Sequence, residues 1–295
     1  MAENQFPTFD PKNEGGRQGR KWLPFVPASL ITWFLFVLIF VVEGPGLFSQ
    51  RQEVSQQVTD LEILQETNQV GKSGELEPED SAYILRNQVR TWPIVHEEDF
   101  SESTGWWELG NRENDYLIES KTFSQGKYKW QVEALQPFST WVVAPLGNIL
   151  GEQERGFKDF YLRVQMRMVA GPRDATYGVI FRYDGTWNQD DDSYYQMAIN
   201  DEQFLYFNPK YDGIWRASPD RDFISTINPN ENNTLEVIGI GWHFYIFINN
   251  KYAGDYWGTR METGRVGLTV SLTQVGDKAV FEFDNFEFRS PGPNQ

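Results

Sequence analysis

The sequence predicts an all-β chain: a two-sheet antiparallel jelly-roll sandwich behind one transmembrane helix and a short helical stalk. Three observations carry this. From about residue 94 onward, short runs alternate apolar and polar residues, the period of a half-buried strand. Turn residues separate those runs and no helical crossover intervenes, which selects packed antiparallel sheets. One uncharged stretch, 22–42, is long enough to span a bilayer as a helix.

The N-terminal elements come first. Residues 22–42 read WLPFVPASLITWFLFVLIFVV. Trp22 and Trp33 suit the interfacial turns, and Pro24 and Pro27 sit near the start, where a helix tolerates proline. Arg17, Arg20 and Lys21 precede the run and Glu43 follows it. The positive-inside rule then places the N-terminus in the cytoplasm and the C-terminus outside. EGPGLFSQ after the run offers no small-x-small cleavage site, so the expectation is an uncleaved signal anchor. The 1–21 tail is too short to fold. Residues 43–295 hold 22 basic and 39 acidic side chains, an acidic body that anionic lipid would repel.

Residues 43–91 read as stalk and linker. Leu47, Val54, Val58 and Leu61 suit a short coiled-coil seam that would self-associate; a solitary amphipathic helix packing on the body is the alternative. TNQVGKSGELEPED, 67–80, reads as a flexible linker, and 81–90 as one or two further helical turns. The extracytoplasmic sandwich is expected over 92–295. Its strands are expected at 115–123, 127–135, 160–169, 176–184, 193–200, 203–208, 234–240, 242–249, 266–272 and 279–288. Turns are expected at 124–126, 208–209, 228–230, 249–251 and 276–277. Without a fixed repeat, a propeller is disfavoured.

The order of landmarks resembles the concanavalin A-like, laminin-G-like jelly-roll domains, and especially the bacterial subgroup related to 3-keto-disaccharide hydrolase domains. The matching pieces are EEDFSESTGWW (97–107), GPRDATYGVIFRY (171–183), SYYQMAIN (193–200), LEVIGIGWHFYIFINNKYAG (235–254), GRVGLTVSL (264–272) and FEFDNFEF (281–288). The resemblance implies a curved sandwich, commonly extracellular, that often binds glycans and sometimes cleaves them.

Three constellations bear on chemistry. Trp187, Tyr194, Tyr206, Tyr211, Trp215 and Trp257 lie on or beside expected turns, and such rings stack on the C–H face of a sugar. Alternation in SYYQMAIN puts Tyr194, Gln196 and Asn200 on an open sheet face, joined by Arg182, and turns Tyr195, Met197 and Ile199 to the core. Asp190, Asp191 and Asp192 form a run with the oxygen donors that Ca²⁺ takes; a solvated charge run is the alternative. Glu282, Asp284 and Glu287 match the E-x-D-x-x-E pattern of retaining glycosidases of the resembled fold. The competing reading makes Asp284-Asn285 a structural bend, with Phe281, Phe283, Phe286 and Phe288 in the core.

Composition removes other classes. With no Cys and only His96 and His243, there is no disulfide framework, thiolate site or multi-His metal centre. A net charge of −16 opposes nucleic-acid binding. No Walker loop and no nucleophile elbow is present. The expected function is a membrane-anchored module that binds a glycan or cell-envelope ligand and is not an enzyme. The alternatives are an accessory interaction subunit of a membrane complex and a glycan-active hydrolase.

Overall fold

The computed structural model describes residues 77–101, 107–146, 156–185, 191–216 and 221–292. The expected anchor at 22–42, the tail before it and the coiled-coil seam lie outside the described residues. Among the described residues no helix is long and apolar enough to cross a membrane.

Among the described residues one helix, α1 (Pro78–Val89), precedes the strands. They are β1 (Ile94–Glu98), β2 (Gly110–Glu113), β3 (Leu117–Phe123), β4 (Tyr128–Ala134), β5 (Phe138–Val143), β6 (Phe160–Ala170), β7 (Thr176–Tyr183) and β8 (Tyr194–Ile199). The series continues with β9 (Phe204–Tyr211), β10 (Ile214–Trp215), β11 (Arg221–Phe223), β12 (Asn233–Ile240), β13 (His243–Ile248), β14 (Lys251–Trp257), β15 (Arg265–Leu272) and β16 (Lys278–Arg289). Among the described residues they form two antiparallel sheets. A nine-stranded sheet runs β14-β13-β12-β6-β16-β4-β3-β2, with β1 also on β16, and a seven-stranded sheet runs β10-β9-β8-β7-β15-β5, with β11 on β9. Consecutive strands in a sheet are often distant in sequence, as in the pairing of β6 with both β12 and β16. The jelly-roll sandwich expected from the alternation is therefore present.

Turn chemistry sets the hairpins. Gln125-Gly126, Asp212-Gly213 and Asn249-Asn250 all have positive φ at both positions, the primed turns whose twist matches two antiparallel strands. Asn208-Pro209, expected as a turn, lies inside β9 instead. The flanking β10 and β11 are only two and three residues long, so a proline there interrupts little of the ladder.

The core lies between the sheets. β6 contributes Leu162, Val164, Met166 and Met168, β8 contributes Tyr195, Met197 and Ile199, and β16 contributes Phe281, Phe283, Phe286 and Phe288. The β6 and β8 sets follow the strand period of two, and the β16 set follows it on either side of a slip between Phe283 and Phe286. Strand β3 departs from it chemically, since its inward positions include Glu119 and Lys121, both 2% exposed. Arg112, Glu108 and the Trp130 indole N–H satisfy them, as buried charges require.

Helix α1 belongs to the sandwich. Pro78 sits in its first turn with Glu79 and Asp80, all favourable at a helix N-terminus, and Pro93 follows soon after its end. Ala82, Leu85, Arg86 and Val89 share the face that meets Tyr161, Ile238 and Phe247 on the nine-stranded sheet. Arg86 forks onto Glu236 at 2.6 and 2.5 Å and reaches Asn250 at 2.7 Å. Tyr161 donates to the same carboxylate at 3.0 Å. The compact unit accordingly runs from Glu75, and the boundary expected at residue 92 moves ahead of α1. The reason is Glu236, fully buried in the sheet face and neutralised only by reaching back to the helix.

Arg86→Ala should therefore lower stability by about 3–5 kcal/mol, the cost of leaving a buried carboxylate unpaired. Denaturant unfolding reads it; a loss below about 1 kcal/mol would show that α1 docks by apolar contact alone.

Candidate functional site

The face of the seven-stranded sheet turned away from the core carries the candidate site. In β5 the inward residues are Thr140 and Val142, so Ser139, Trp141 and Val143 face out. In β8 the outward residues are Tyr194, Gln196 and Ala198, and in β9 they are Phe204, Tyr206, Asn208 and Lys210. Thr269 projects from β15 between β5 and β7.

Two kinds of group meet there. At one end are rings: Trp141 lies 5.3 Å from Tyr194 and 5.8 Å from Tyr183, and Trp215 meets Tyr194 edge-on at 5.5 Å. Tyr183 and Tyr194 are buried, while Trp141 and Trp215 remain half-buried. Beside them runs a row of amides and hydroxyls. The Gln196 amide donates to Ser139 and Thr269, each at 3.0 Å, and accepts from Asn208 at 3.0 Å. Further along β9, Asn200 donates to the Tyr206 hydroxyl at 3.2 Å.

Lys210 underlies the rings. Its Nζ lies 5.6 Å from the centroids of Trp141, Tyr194 and Trp215 alike, within cation–π range of all three. It pairs with Asp192 at 2.6 Å. Burial pushes the Asp192 carboxyl up and Lys210 pulls it back. Burial raises the Tyr194 phenol well above its ordinary range, so it stays a neutral hydroxyl beside the indoles.

Of the residues expected at a ligand face, the fold brings Tyr194, Gln196 and Trp215 together and leaves Tyr206 on the same face toward the other end of β9. Tyr211 instead packs on the core and bonds the Tyr195 hydroxyl. Trp257 is on the other sheet, at its β14 edge, 64% exposed and stacked on His243 with centroids 4.1 Å apart. Trp187 lies outside the described residues.

Arg182 is a correction. It is 1% exposed and faces inward. Nη1 donates to the Met261 carbonyl at 2.7 Å, and Nη2 donates to Lys158 at 3.1 Å and to Gly241. The reason is a bulge: Arg182 has φ 54° and the β7–β15 register slips beside it, so strand parity breaks. Burial pushes its pKa down to about 10, which keeps it charged at neutral pH.

Only Asp191 and Asp192 of the acidic run are among the described residues, and they belong to no group of three metal-ligating side chains there. Asp190 lies outside them, Asp191 is exposed, and Asp192 turns inward onto Lys210. No three such ligands converge among the described residues.

Glu282, Asp284 and Glu287 do share a face. A register slip between Asp284 and Glu287, with Asn285 at φ 48°, inserts one residue and keeps all three outward while Phe283 and Phe286 both stay in the core. Each carboxylate is engaged by a cation: Glu282 by Arg167 at 2.6 Å, Asp284 by Lys127 at 3.0 Å and Glu287 by Arg289. Asp284 also accepts from the Asn285 N–H at 2.8 Å, tying the bend. The cations come from β6, from the turn before β4 and from β16 itself, a surface charge network on one sheet face. Burial lowers the pKa of His96, which packs on Trp107 and Phe286; His243 bonds Asp255 at 2.5 Å.

Sequence reasoning missed Trp141, Ser139, Asn208, Thr269 and Lys210. The signal for Trp141 was in FSTWVV, a six-residue alternation in which Ser139, Trp141 and Val143 share one face. Nothing local marks Lys210, because its partners come from three other segments.

The class of protein is thus a two-sheet jelly-roll sandwich with an aromatic and amide-lined outer face. No family model matches the chain, and no curated protein does. Solved structures that resemble it include a carbohydrate-binding module, CBM66, from Bacillus subtilis (15% identity, 68% of this chain and 95% of that one, TM-score 0.36). A Bacteroides ovatus GH16 protein from a mixed-linkage glucan locus, in complex with its product, shares 10% identity over 66% of this chain and 100% of that one, at TM-score 0.47. The catalytic domain of an endo-1,3-beta-glucanase from Thermotoga petrophila shares 9% over 69% and 99%, at TM-score 0.42. Values this low bear on neither ligand nor activity.

Arg182→Lys should destabilise the sandwich by roughly 2–4 kcal/mol, because one ammonium cannot span three carbonyls from separate segments. A thermal midpoint within error of the parent would refute the tether.

Proposed function

We propose that the protein is a membrane-anchored, extracytoplasmic sandwich that binds a glycan or cell-envelope ligand on the outer face of its seven-stranded sheet. One observation supports this above the others. Half-buried Trp141 and Trp215 flank a row of amides and hydroxyls, Ser139, Gln196, Asn208 and Thr269, already held in mutual hydrogen bonds. Rings supply the surface for sugar C–H groups, and preorganised amides supply directional partners for hydroxyls. A purely structural face would need neither partial exposure of two indoles nor a polar row beside them.

The anchor reading rests on the uncharged run 22–42 and its flanking charges. A sandwich tethered in this way would hold its ligand within reach of the membrane. The likeness in landmarks to domains related to 3-keto-disaccharide hydrolases agrees with a sugar ligand.

Trp141→Ala and Trp215→Ala should each weaken binding to any glycan that the intact protein selects on an array by at least about tenfold, about 1.4 kcal/mol. Trp257→Ala, on the other sheet, should not. Retained affinity in both indole variants would remove this face from the account. In membranes, the protein should resist alkaline carbonate extraction, and deletion of 22–42 should release it; extraction of the intact chain would refute the anchor.

A further inference from the structure

Resting on that glycan-binding reading, we infer that the face selects uncharged glycans over carboxylated or sulfated ones, because the ammonium at its floor is already neutralised within the fold. Lys210 is 7% exposed, and its Nζ is 2.6 Å from a carboxylate oxygen of Asp192, itself fully buried. A pair this close presents a dipole rather than a charge to anything a few ångströms away. The three surrounding rings screen it further, since Trp141, Tyr194 and Trp215 stand equally around the ammonium.

Among the described residues, no other cation lies over the Trp141, Tyr194 or Trp215 ring. Arg182, the guanidinium that alternation would put on this face, is tethered to three carbonyls in the interior. Arg221 lies 4.6 Å over the Phe204 ring, at the far end of β9. Arg265 borders Gly185, directly after the exposed Asp184. Asp191 is exposed on the neighbouring segment. The chain as a whole carries −16, so the long-range field repels a polyanion before contact. What the face offers there is uncharged: the half-buried Trp141, Trp215, Asn208, Ser139 and Tyr206, with Gln196 and Thr269 buried beneath them.

Matched polymers test this. The full chain in detergent is run in native affinity gels containing dextran, a β-1,3-glucan or a β-1,4-glucan, each beside its carboxymethyl derivative. The expected result is retardation by at least one neutral polymer, about fivefold weaker retardation by its carboxymethyl partner, and neutral binding that is flat between about 50 and about 500 mM salt. Asp192→Asn uncovers the ammonium, so it should strengthen retardation by the carboxymethyl partner several-fold and make it salt-sensitive. Stronger binding of the carboxymethyl polymer by the parent protein, lost at high salt, would overturn the inference and leave the glycan reading standing. So would an Asp192→Asn protein that folds but keeps the parent's preference. Retardation by neither member of any pair would count against the glycan reading itself, and the inference would fall with it. Should Asp192→Asn not fold, the parent protein's paired gels and salt series still decide.

Discussion

Strand parity governs this molecule. Every strand presents alternate residues to two environments, and a sandwich has room for only one dry interior. Once Val164, Met166 and Met168 of β6 face inward, the residues between them must face out, and the same holds for Tyr195, Met197 and Ile199 of β8. A bulge resets that rule for everything after it. Two bulges decide the chemistry here. One at Arg182 turns a guanidinium into the interior and returns Tyr183 to the outer cluster. One at Asn285 keeps Phe283, Phe286 and Phe288 together in the core. The E-x-D-x-x-E spacing of β16 is what a bulged strand must have if its aromatic residues are all to stay inside. That spacing follows from packing alone, and the cation on each of its carboxylates completes a structural account of it.

How much could be read from the sequence follows from the same rule. The strands themselves were legible: β6, β7, β8, β12, β15 and β16 all fall within one or two residues of the runs that announced them, although β7 and β16 each carry a bulge. So was the division of β8 into Tyr194 and Gln196 on one face and Tyr195 and Met197 on the other. The position of Arg182 was not, because a bulge depends on the register of a partner strand far away in sequence, here β15. Helix α1 was legible as helix but not as part of the body. Its docking depends on Glu236, which sits in a strand that reads as apolar and lies 150 residues away. The Lys210 cluster stayed hidden for the same reason. Its rings come from β5, β8 and β10, and its carboxylate from the segment before β8.

Three buried carboxylates are handled in one way, while buried Arg182 is held by carbonyls. Glu236 meets Arg86, Glu119 meets Arg112 and Lys121, and Asp192 meets Lys210. Arg86–Glu236, Arg112–Glu119 and Lys210–Asp192 each join different segments, so they form only when those segments are in register, while Lys121 lies on Glu119's own strand. Such pairs add little net stability over apolar replacements, and their best-attested use is to specify one arrangement among several. In a core dominated by interchangeable aromatic contacts, that is the property most needed. Arg86–Glu236 fixes where α1 lies, and Lys210–Asp192 fixes where the loop entering β8 lies against β9.

The two outer faces of the sandwich then differ in a way that locates function. On the nine-stranded sheet, α1 covers one part, and beside it the carboxylates of β16 are matched by cations from β4's turn, from β6 and from β16 itself. Such a network is complete without a ligand. On the seven-stranded sheet the Lys210–Asp192 pair has been drawn below the surface at the ring end, and what lies above it there is two half-buried indoles beside half-buried Ser139 and Asn208. The half-buried Asn208 amide carries two donors and two acceptor sites, and one of those donors goes to Gln196. Half-buried indoles still have apolar area to lose from water. Both suit the same kind of partner, one that carries hydroxyls on its rim and C–H bonds on its face. The asymmetry between the faces, more than any single residue, is what points to the seven-stranded sheet as the working surface of this protein.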